Sequence, residues 1–452
     1  MMLSVYLLFI ELLILFLISF VILFNRDIFS PSVMICISFI LSTIVLGINV
    51  DYWDAEIDSI TIIIIGTAIM IAMTTELIVL SLAKKGRRKQ KYLDKDMGIG
   101  IFKKRYLSMN KYLFVLLIIF SLVEMTYFWK EVIRIGAIAE SYGYHGTIMF
   151  NYRQITAHST ELVAEDMMNS FVVQGFKMVM VFAHVSMYIF INNVIIFKGK
   201  FTKNGKYLLP VIIYLIQTIM NASRIPLIYF GIYVLFISYI LLSNKTFWVK
   251  NLSSKFIRLG TIALCIIFSV FTSLNQVVGR MTDNTAFETI SVYLGAPILL
   301  LNQFLTRHPF DNIYFGQETL PNLYKSLYKL GLVSSYPSFQ TEFGYSNGHD
   351  LGNVYTFLRR PMQDFGYIGM LLITILVVGL YSYIYYFKIK YKPLNSKSEL
   401  SLFMYAYLVY PIPLFSIDFT VYSFFTFGTI FTLLYLNLGF KLFIRRDFIN
   451  DG

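Results

Sequence analysis

The chain is poor in charge and nearly without cysteine. Only 14% of its 452 residues are charged while 57% are apolar, and the mean hydropathy of +0.66 excludes a soluble globular core. Its two cysteines, Cys36 and Cys265, both fall inside apolar blocks. Neither a disulfide framework nor a cysteine-based metal site is therefore open to it, and redox chemistry is set aside. The ten-residue alternation of an outer-membrane barrel is missing as well. The first apolar block, Leu3 to Phe24, has no basic flank before it and no small-residue cleavage site after it, so it reads as a retained span and not a signal peptide.

What is present is apolar sequence in blocks of about twenty residues, the length that crosses a bilayer core as helix. The blocks predict an all-α, polytopic integral membrane helical bundle of about eleven transmembrane helices. They run approximately over 3–24, 31–50, 59–83, 111–129, 171–197, 207–222, 225–243, 256–274, 365–387, 400–417 and 420–443. Charge sets the expected orientation, since cytoplasmic loops retain Lys and Arg. Ala83 to Lys111 holds eleven basic residues and two Asp, whereas DYWDAEID, 51–58, holds four acids and no base. KGKFTKNGK, SNKTFWVKNLSSKFIR, KIKYKPLNSKSE and the basic tail KLFIRRDFINDG fall on the side of the first. The loops then alternate correctly with the N-terminus extracytoplasmic and the C-terminus cytoplasmic. The net charge of +12 is mostly this topology signal, and with no aromatic-basic module between the spans no nucleic-acid partner is expected. The organisation expected is one transmembrane domain over 1–452, with extracytoplasmic loops 130–170 and 275–364 and a basic cytoplasmic loop 84–110.

Long loops carry function more often than short connectors. The first contains Arg134, His145 and Arg153; the second contains Arg280, an apolar stretch from Ile290 to Leu301, Arg307, His308 and PNLYKSLYKLGL. In PNLYKSLYKLGL, Leu323, Leu327 and Leu330 share a helical stripe, which suits either a helix lying in the membrane interface or a buried surface helix. Within spans, Glu11, Glu76, Glu124, Lys177 and His184 are costly and so are functional candidates by default. A structural ion pair between Glu124 and Lys177, and a hydrogen-bonded packing role for His184, are the simpler accounts.

The extracytoplasmic arginines run against the inside-positive bias. Arg224, in NASRIPLI, stands at a tight turn before Pro226, and Arg280, Arg359 and Arg360 lie just beyond span ends on the same face. Guanidinium groups there either snorkel to lipid headgroups or recognise the phosphates of an anionic, lipid-linked substrate. Their clustering favours the second. Asp364 precedes the ninth span and reads as a cap. His349, with an ordinary pKa of roughly 6.5, is the better base candidate, although NGHD is also a turn sequence.

GNVYTFLRRPMQDFGYIGM, running directly into a span, resembles the loop-to-helix signature of the bacterial O-antigen polymerases, the Wzy-type oligosaccharide repeat-unit polymerases. NASRIPLI at the end of a helical hairpin is similar to a second element of that family, and the length, span number and long late loop match it in architecture. An Arg followed eleven positions later by Gly in both long loops, as in some members, is displaced here: Arg134 meets Gly146 one late and Arg359 meets Gly369 one early.

The resemblance implies glycosyl transfer at the extracytoplasmic face of the bacterial inner membrane. A growing glycan on undecaprenyl pyrophosphate would pass to a new lipid-linked unit, for O-antigen or capsule, without cofactor or metal. Its implied partners are that lipid-linked oligosaccharide, membrane lipid and a chain-length regulator protein. Catalytic candidates are His349, Arg224, Arg359 and Asp364; substrate-binding candidates are Arg280, Arg360, Asp350, Asn353, Tyr355 and Arg153, with Tyr336 and Tyr345 as further stacking residues. An O-antigen ligase and a flippase or transporter for the same lipid are the alternatives.

Overall fold

The computed structural model describes residues 2–93, 105–158, 167–246, 248–262, 285–307, 314–336, 341–390, 392 and 396–448. The chain begins with α1 (Met2–Leu17, continued by a π-helical turn over Ile18–Leu23), α2 (Pro31–Ile48), the one-turn α3 (Val50–Trp53) and α4 (Ser59–Leu93). Strand β1 (Arg105–Ser108) leads into α5 (Lys111–Ile138), α6 (Ile148–His158), α7 (Ser170–Phe197), α8 (Phe201–Asn204), α9 (Leu209–Met220) and α10 (Ile225–Lys245). A helix over 253–262, α11, precedes α12 (Ala286–Leu294), α13 (Ala296–Thr306) and α14 (Pro321–Lys329). The hairpin strands β2 (Gly344–Ser346) and β3 (His349–Gly352) lead to α15 (Arg359–Ile384), α16 (Ser396–Leu408), α17 (Phe427–Phe443) and β4 (Arg445–Phe448).

Among the described residues, seven helices are long and apolar enough to cross a membrane: Met2–Leu23, Pro31–Ile48, Ser59–Lys85, Lys111–Tyr142, Ser170–Ile195, Ile225–Lys245 and Arg359–Ile389. The chain is a multi-pass helical membrane protein. Its helices have the surface that lipid demands, apolar on the outside as well as the inside. On α1, Val5, Leu8, Leu12 and Leu15 are buried while Leu3, Leu7, Ile10 and Ile14 are exposed; on α15, Ile368, Leu372, Leu376 and Leu380 form an exposed stripe at four-residue spacing.

Several expected blocks take another form. Residues 400–417 do not make one span, because α16 stops at Leu408 and Pro411 and Pro413 cannot continue it. The non-helical stretch that follows is buried against protein, which is where apolar chain without helical bonds is tolerated. Ser416 N and Oγ bond Ser38 on α2, and the Phe415 carbonyl accepts from Phe357 N at 2.9 Å. The 207–222 block forms only the twelve-residue α9, and the last block forms the seventeen-residue α17, which starts at Phe427. Of 256–274, only the part through 262 lies within the described residues. Loop 130–170 is shorter than expected, since α5 continues to Ile138, and α4 carries helix through Leu93 into the basic segment.

The apolar stretch 290–301 is no open loop. It forms α12 and α13, bent by 47° into a broken span or re-entrant pair, an eighth membrane element if counted as one. Asn49, at the end of α2, donates to Ser291 Oγ at 3.1 Å, Ser42 Oγ donates to the Leu294 carbonyl, and Ile298, Leu300 and Leu301 are wholly buried. The all-α expectation also needs amending, because two small antiparallel sheets are present, β1 with β4 and β2 with β3.

The chain divides into two compact units. Unit 1 comprises 1–100, 284–392 and 408–430. At the α1–α2 turn Glu76 accepts from Ser30 Oγ (2.5 Å), Ser32 N (2.7 Å) and Tyr386 OH (2.7 Å), while Asp27 takes Lys390 Nζ and Tyr385 OH. At the other end, α3, α12, α13 and the β2–β3 hairpin meet. Unit 2 comprises 101–283, 393–407 and 431–452. There the basic segments 105–108 and 445–448, which charge assigns to one side, pair as strands. The side chain of Asn193 completes the outer edge of β1, accepting from Leu107 N at 3.1 Å and donating to the Leu107 carbonyl at 2.8 Å.

α15 is interrupted once, at Gly366, whose φ of 66° and ψ of −169° lie outside the range of any side-chain-bearing residue. Its first turns therefore belong to the loop region and its remainder to the span. Gly366→Ala should lower stability by about 1–3 kcal/mol, read as earlier denaturation in detergent. Gly369→Ala is no control for this, because its Cβ would strike Phe365.

Candidate functional site

α15 opens on two arginines whose charged groups turn into unit 1 and not toward solvent; Arg359 is 2% exposed and Arg360 6%. A guanidinium so placed requires anions. Arg359 donates from Nη1 to Glu318 Oε2 at 2.6 Å and from Nη2 to Glu342 Oε2 at 2.7 Å. Its planar face lies 4.9 Å from the Tyr355 ring centre and 5.4 Å from that of Phe304. Arg360 Nη1 donates to the same Glu318 Oε2 at 3.0 Å and to the Glu318 carbonyl at 3.3 Å. It faces Asp418 Oδ1 at 3.7 Å and covers the Tyr422 ring at 5.0 Å.

Asp364 holds this arrangement in place. One turn beyond Arg360, its carboxylate accepts from Glu318 N (3.0 and 3.1 Å), Thr319 N (2.7 Å) and Thr319 Oγ1 (2.7 Å). Both oxygens are thus occupied by donors from the segment that carries Glu318. In place of the expected helix cap, these bonds tie Asp364 to the 318–319 backbone ahead of α14, which positions it badly for a base.

Two cations meeting three carboxylates do not form an open cationic cradle, and the expectation of free guanidinium groups at 359 and 360 is corrected on that ground. Glu342 lies at the edge of the cluster. Its Oε2 is held by Arg359, Oε1 is buried with no hydrogen-bond partner among the described residues, and the side chain as a whole is 32% exposed. Burial pushes its carboxyl up, but Arg359 and the accompanying hydrogen bonds outweigh it and hold the group below the ordinary carboxylate range. Asp418 goes the other way, raised by burial despite Arg360. Burial, reinforced by Glu342, likewise raises the Tyr355 phenol. Arg307 also acts on Tyr355; it is exposed and forms no ion pair among the described residues.

The remaining sequence candidates lie elsewhere. His349 is in the hairpin, whose Asn347-Gly348 turn has positive φ at both residues, the geometry this dipeptide favours. Its ring stacks on Tyr52 at 3.9 Å, and Tyr52 OH donates to Glu288 Oε1 at 2.8 Å. That hydrogen bond raises the Tyr52 phenol, and Glu288 is lowered chiefly by capping Thr285 N. Asp350 accepts from Gly352 N at 2.7 Å, a local turn bond, and Asn353 offers its carbonyl to Thr341 Oγ1. Tyr345 is exposed on the hairpin. The structure therefore joins Arg359, Arg360, Tyr355 and, through Glu318, Asp364; it does not bring His349 or Asp350 into their contacts.

Arg153 and Arg224 belong to unit 2. Arg153 is half-buried on α6, and Arg224 is buried immediately before α10. α6 is tied to the turn ahead of Arg224 by Tyr152 OH donating to Asn221 Oδ1 at 2.8 Å, and burial pushes the Tyr152 phenol up to about 12. Arg280 and His308 lie outside the described residues. On α14, Leu323 and Tyr328 are exposed, Leu327 is half-buried, Pro321 and Ser326 are buried, and Leu330, just past the helix, is exposed, so the leucine stripe is neither fully buried nor fully outward. His184 packs as expected, donating from Nδ1 to the Met180 carbonyl at 2.7 Å among Phe230, Tyr233 and Tyr407. The expected Glu124–Lys177 pair is absent among the described residues: Glu124 takes Gln217 Nε2 instead. It packs against Gly175, and a residue two positions on is turned about 200° away around a helix of 3.6 residues per turn.

Glu318, Glu342, Asp418 and Arg307 were not foreseen as site residues. In sequence each acid is a lone carboxylate between neutral neighbours; the available signal was only that buried arginines in so uncharged a chain need carboxylates from somewhere. Among the described residues, no group of three or more His, Cys, Asp or Glu is placed to hold a metal ion. No family model, curated protein or solved structure matches the chain.

Glu318 is the shared acceptor of both arginines, so Glu318→Gln should leave two buried cations undercompensated. A loss of about 3–5 kcal/mol is expected, seen as a lowered midpoint of thermal denaturation in detergent; an unchanged midpoint would mean that the cluster contributes little to folding.

Proposed function

We propose that this chain polymerises undecaprenyl-pyrophosphate-linked oligosaccharide units at the extracytoplasmic face of the bacterial inner membrane, with Glu342 as general base. The reading is supported by the loop-to-span resemblance, by the multi-pass architecture and, above all, by Glu342, a part-exposed carboxylate at the edge of the cluster that Arg359 keeps ionised. In the transfer, the Glu342 carboxylate takes the proton of the acceptor sugar hydroxyl, and that hydroxyl oxygen forms the new glycosidic bond at the anomeric carbon of the growing glycan. The bond from that carbon to the pyrophosphate oxygen breaks, and the pyrophosphate leaves on its lipid. Arg307, exposed and within electrostatic reach of Tyr355, supplies the cation for the leaving charge in this reading. Arg359 and Arg360 act at one remove, orienting carboxylates, and Tyr355 and Tyr422 keep the arginines in plane.

This assignment moves the base from His349 to Glu342, and two measurements separate them. Removing a general base costs about 10²–10⁴-fold in rate. Glu342→Gln should therefore collapse the polysaccharide ladder to single repeat units in a polymerase-deficient host, and His349→Ala should retain it. Full ladders from Glu342→Gln would sink the base assignment; polymer stranded on the carrier lipid would mark a ligase, and units left facing the cytoplasm a flippase. In the pH profile of the purified enzyme, the acidic limb should lie below the ordinary glutamate value of about 4.3, because Glu342 is lowered and loses activity only as pH falls through its own pKa. A limb near roughly 6.5 would restore a histidine.

A further inference from the structure

In unit 2, two buried oxygens, one on α5 and one on α9, face no donor among the described residues. Glu124 on α5 is 6% exposed and Gln217 on α9 is fully buried. Gln217 Nε2 donates to Glu124 Oε2, yet Glu124 Oε1 and Gln217 Oε1 are both buried with no hydrogen-bond partner. An ionised carboxylate is only an acceptor. The second oxygen of each group is then an unsatisfied acceptor where such an atom is expensive to bury. One proton resolves both deficits, because a neutral carboxyl donates from Oε1 to Gln217 Oε1 while Oε2 continues to accept from Nε2. The result is a closed acid–amide pair with two hydrogen bonds.

We propose that Glu124 and Gln217 form a proton-binding site that fastens α5 to α9, occupied when the protein is folded in the membrane. The surroundings offer no competing charge. Of the titratable groups on the elements packed against α5, Lys177, His184 and Tyr188 lie on α7, Tyr214 on α9, Tyr152, Arg153 and His158 on α6, and Glu140 and Tyr142 on the 3-10 turn 139–142; among the described residues no ion pair to Glu124 is formed. Lys177 is turned away, and Gly175, against which the Glu124 stem packs, contributes no polar side chain. The carboxyl is therefore neutralised by a proton and not by a cation. The site is independent of the Arg359 cluster and of the polymerase reading.

Linkage fixes the sign of the effect. A proton bound in the folded state and released on unfolding makes stability fall as pH rises.

The test is infrared difference spectroscopy of the full chain in lipid nanodiscs. At neutral pH the wild type should show a protonated carboxylic-acid carbonyl band that shifts in D2O and is lost in Glu124→Gln. The same variant reproduces both hydrogen bonds with its amide, so it should fold, and the decline of its denaturation temperature at alkaline pH should be smaller than in the wild type. If Glu124→Gln does not fold, the double variant Glu124→Gln/Gln217→Glu serves instead: it moves the carboxyl from α5 to α9 within the same pair and should retain the band. A wild type without a band that depends on Glu124, a double variant without the band, or equal alkaline declines in wild type and Glu124→Gln overturns the proposal.

Discussion

The arrangement at the head of α15 depends on what a buried guanidinium demands. Two adjacent arginines at a helix start have few ways to leave water, and here each is met by carboxylates from segments far away in sequence: 318 before α14, 342 before the hairpin and 418 after the proline-rich turn. The same arginines cover Phe304, Tyr355 and Tyr422. A pair of charges thus organises much of the irregular chain at this end of unit 1, and Asp364 completes the circuit by tying the Glu318 backbone to the helix that carries the arginines. Helix-forming propensity explains the spans; it does not explain how these loops find one another.

The fold was most legible where hydrophobicity alone decides. Seven of the apolar blocks became helices long enough to cross a bilayer, with both faces apolar where lipid is the solvent. Composition could not distinguish a stretch that spans from one that is merely buried. Residues 409–419 are as apolar as a span, but their prolines divert them into a turn whose backbone is satisfied by Ser38 and Phe357. Residues 290–301 looked like loop because charge alternation had no place for another crossing, and they instead make a bent helical pair on α2.

The site was legible in part, for a related reason. Arginine pairs, glycines and an aspartate before a span are visible in a linear reading, and Arg359, Arg360, Asp364 and Gly366 all proved to shape one region. Their partners are fixed by tertiary contact. Nothing near Glu342 in the sequence distinguishes it from Glu318, although one is part-exposed at the edge of the cluster and the other is shared between two cations. His349 had the right intrinsic chemistry, and its hairpin gave it an aromatic neighbour in Tyr52 in place of the arginines.

Asn193 has a consequence of another kind. Because its side-chain amide occupies both the N–H and the C=O of Leu107, the outer rim of β1 presents no hydrogen-bonding slot at that residue. At that position the outer edge of the short sheet made from the two basic segments is closed by the chain's own carboxamide, which serves both backbone groups without a further strand.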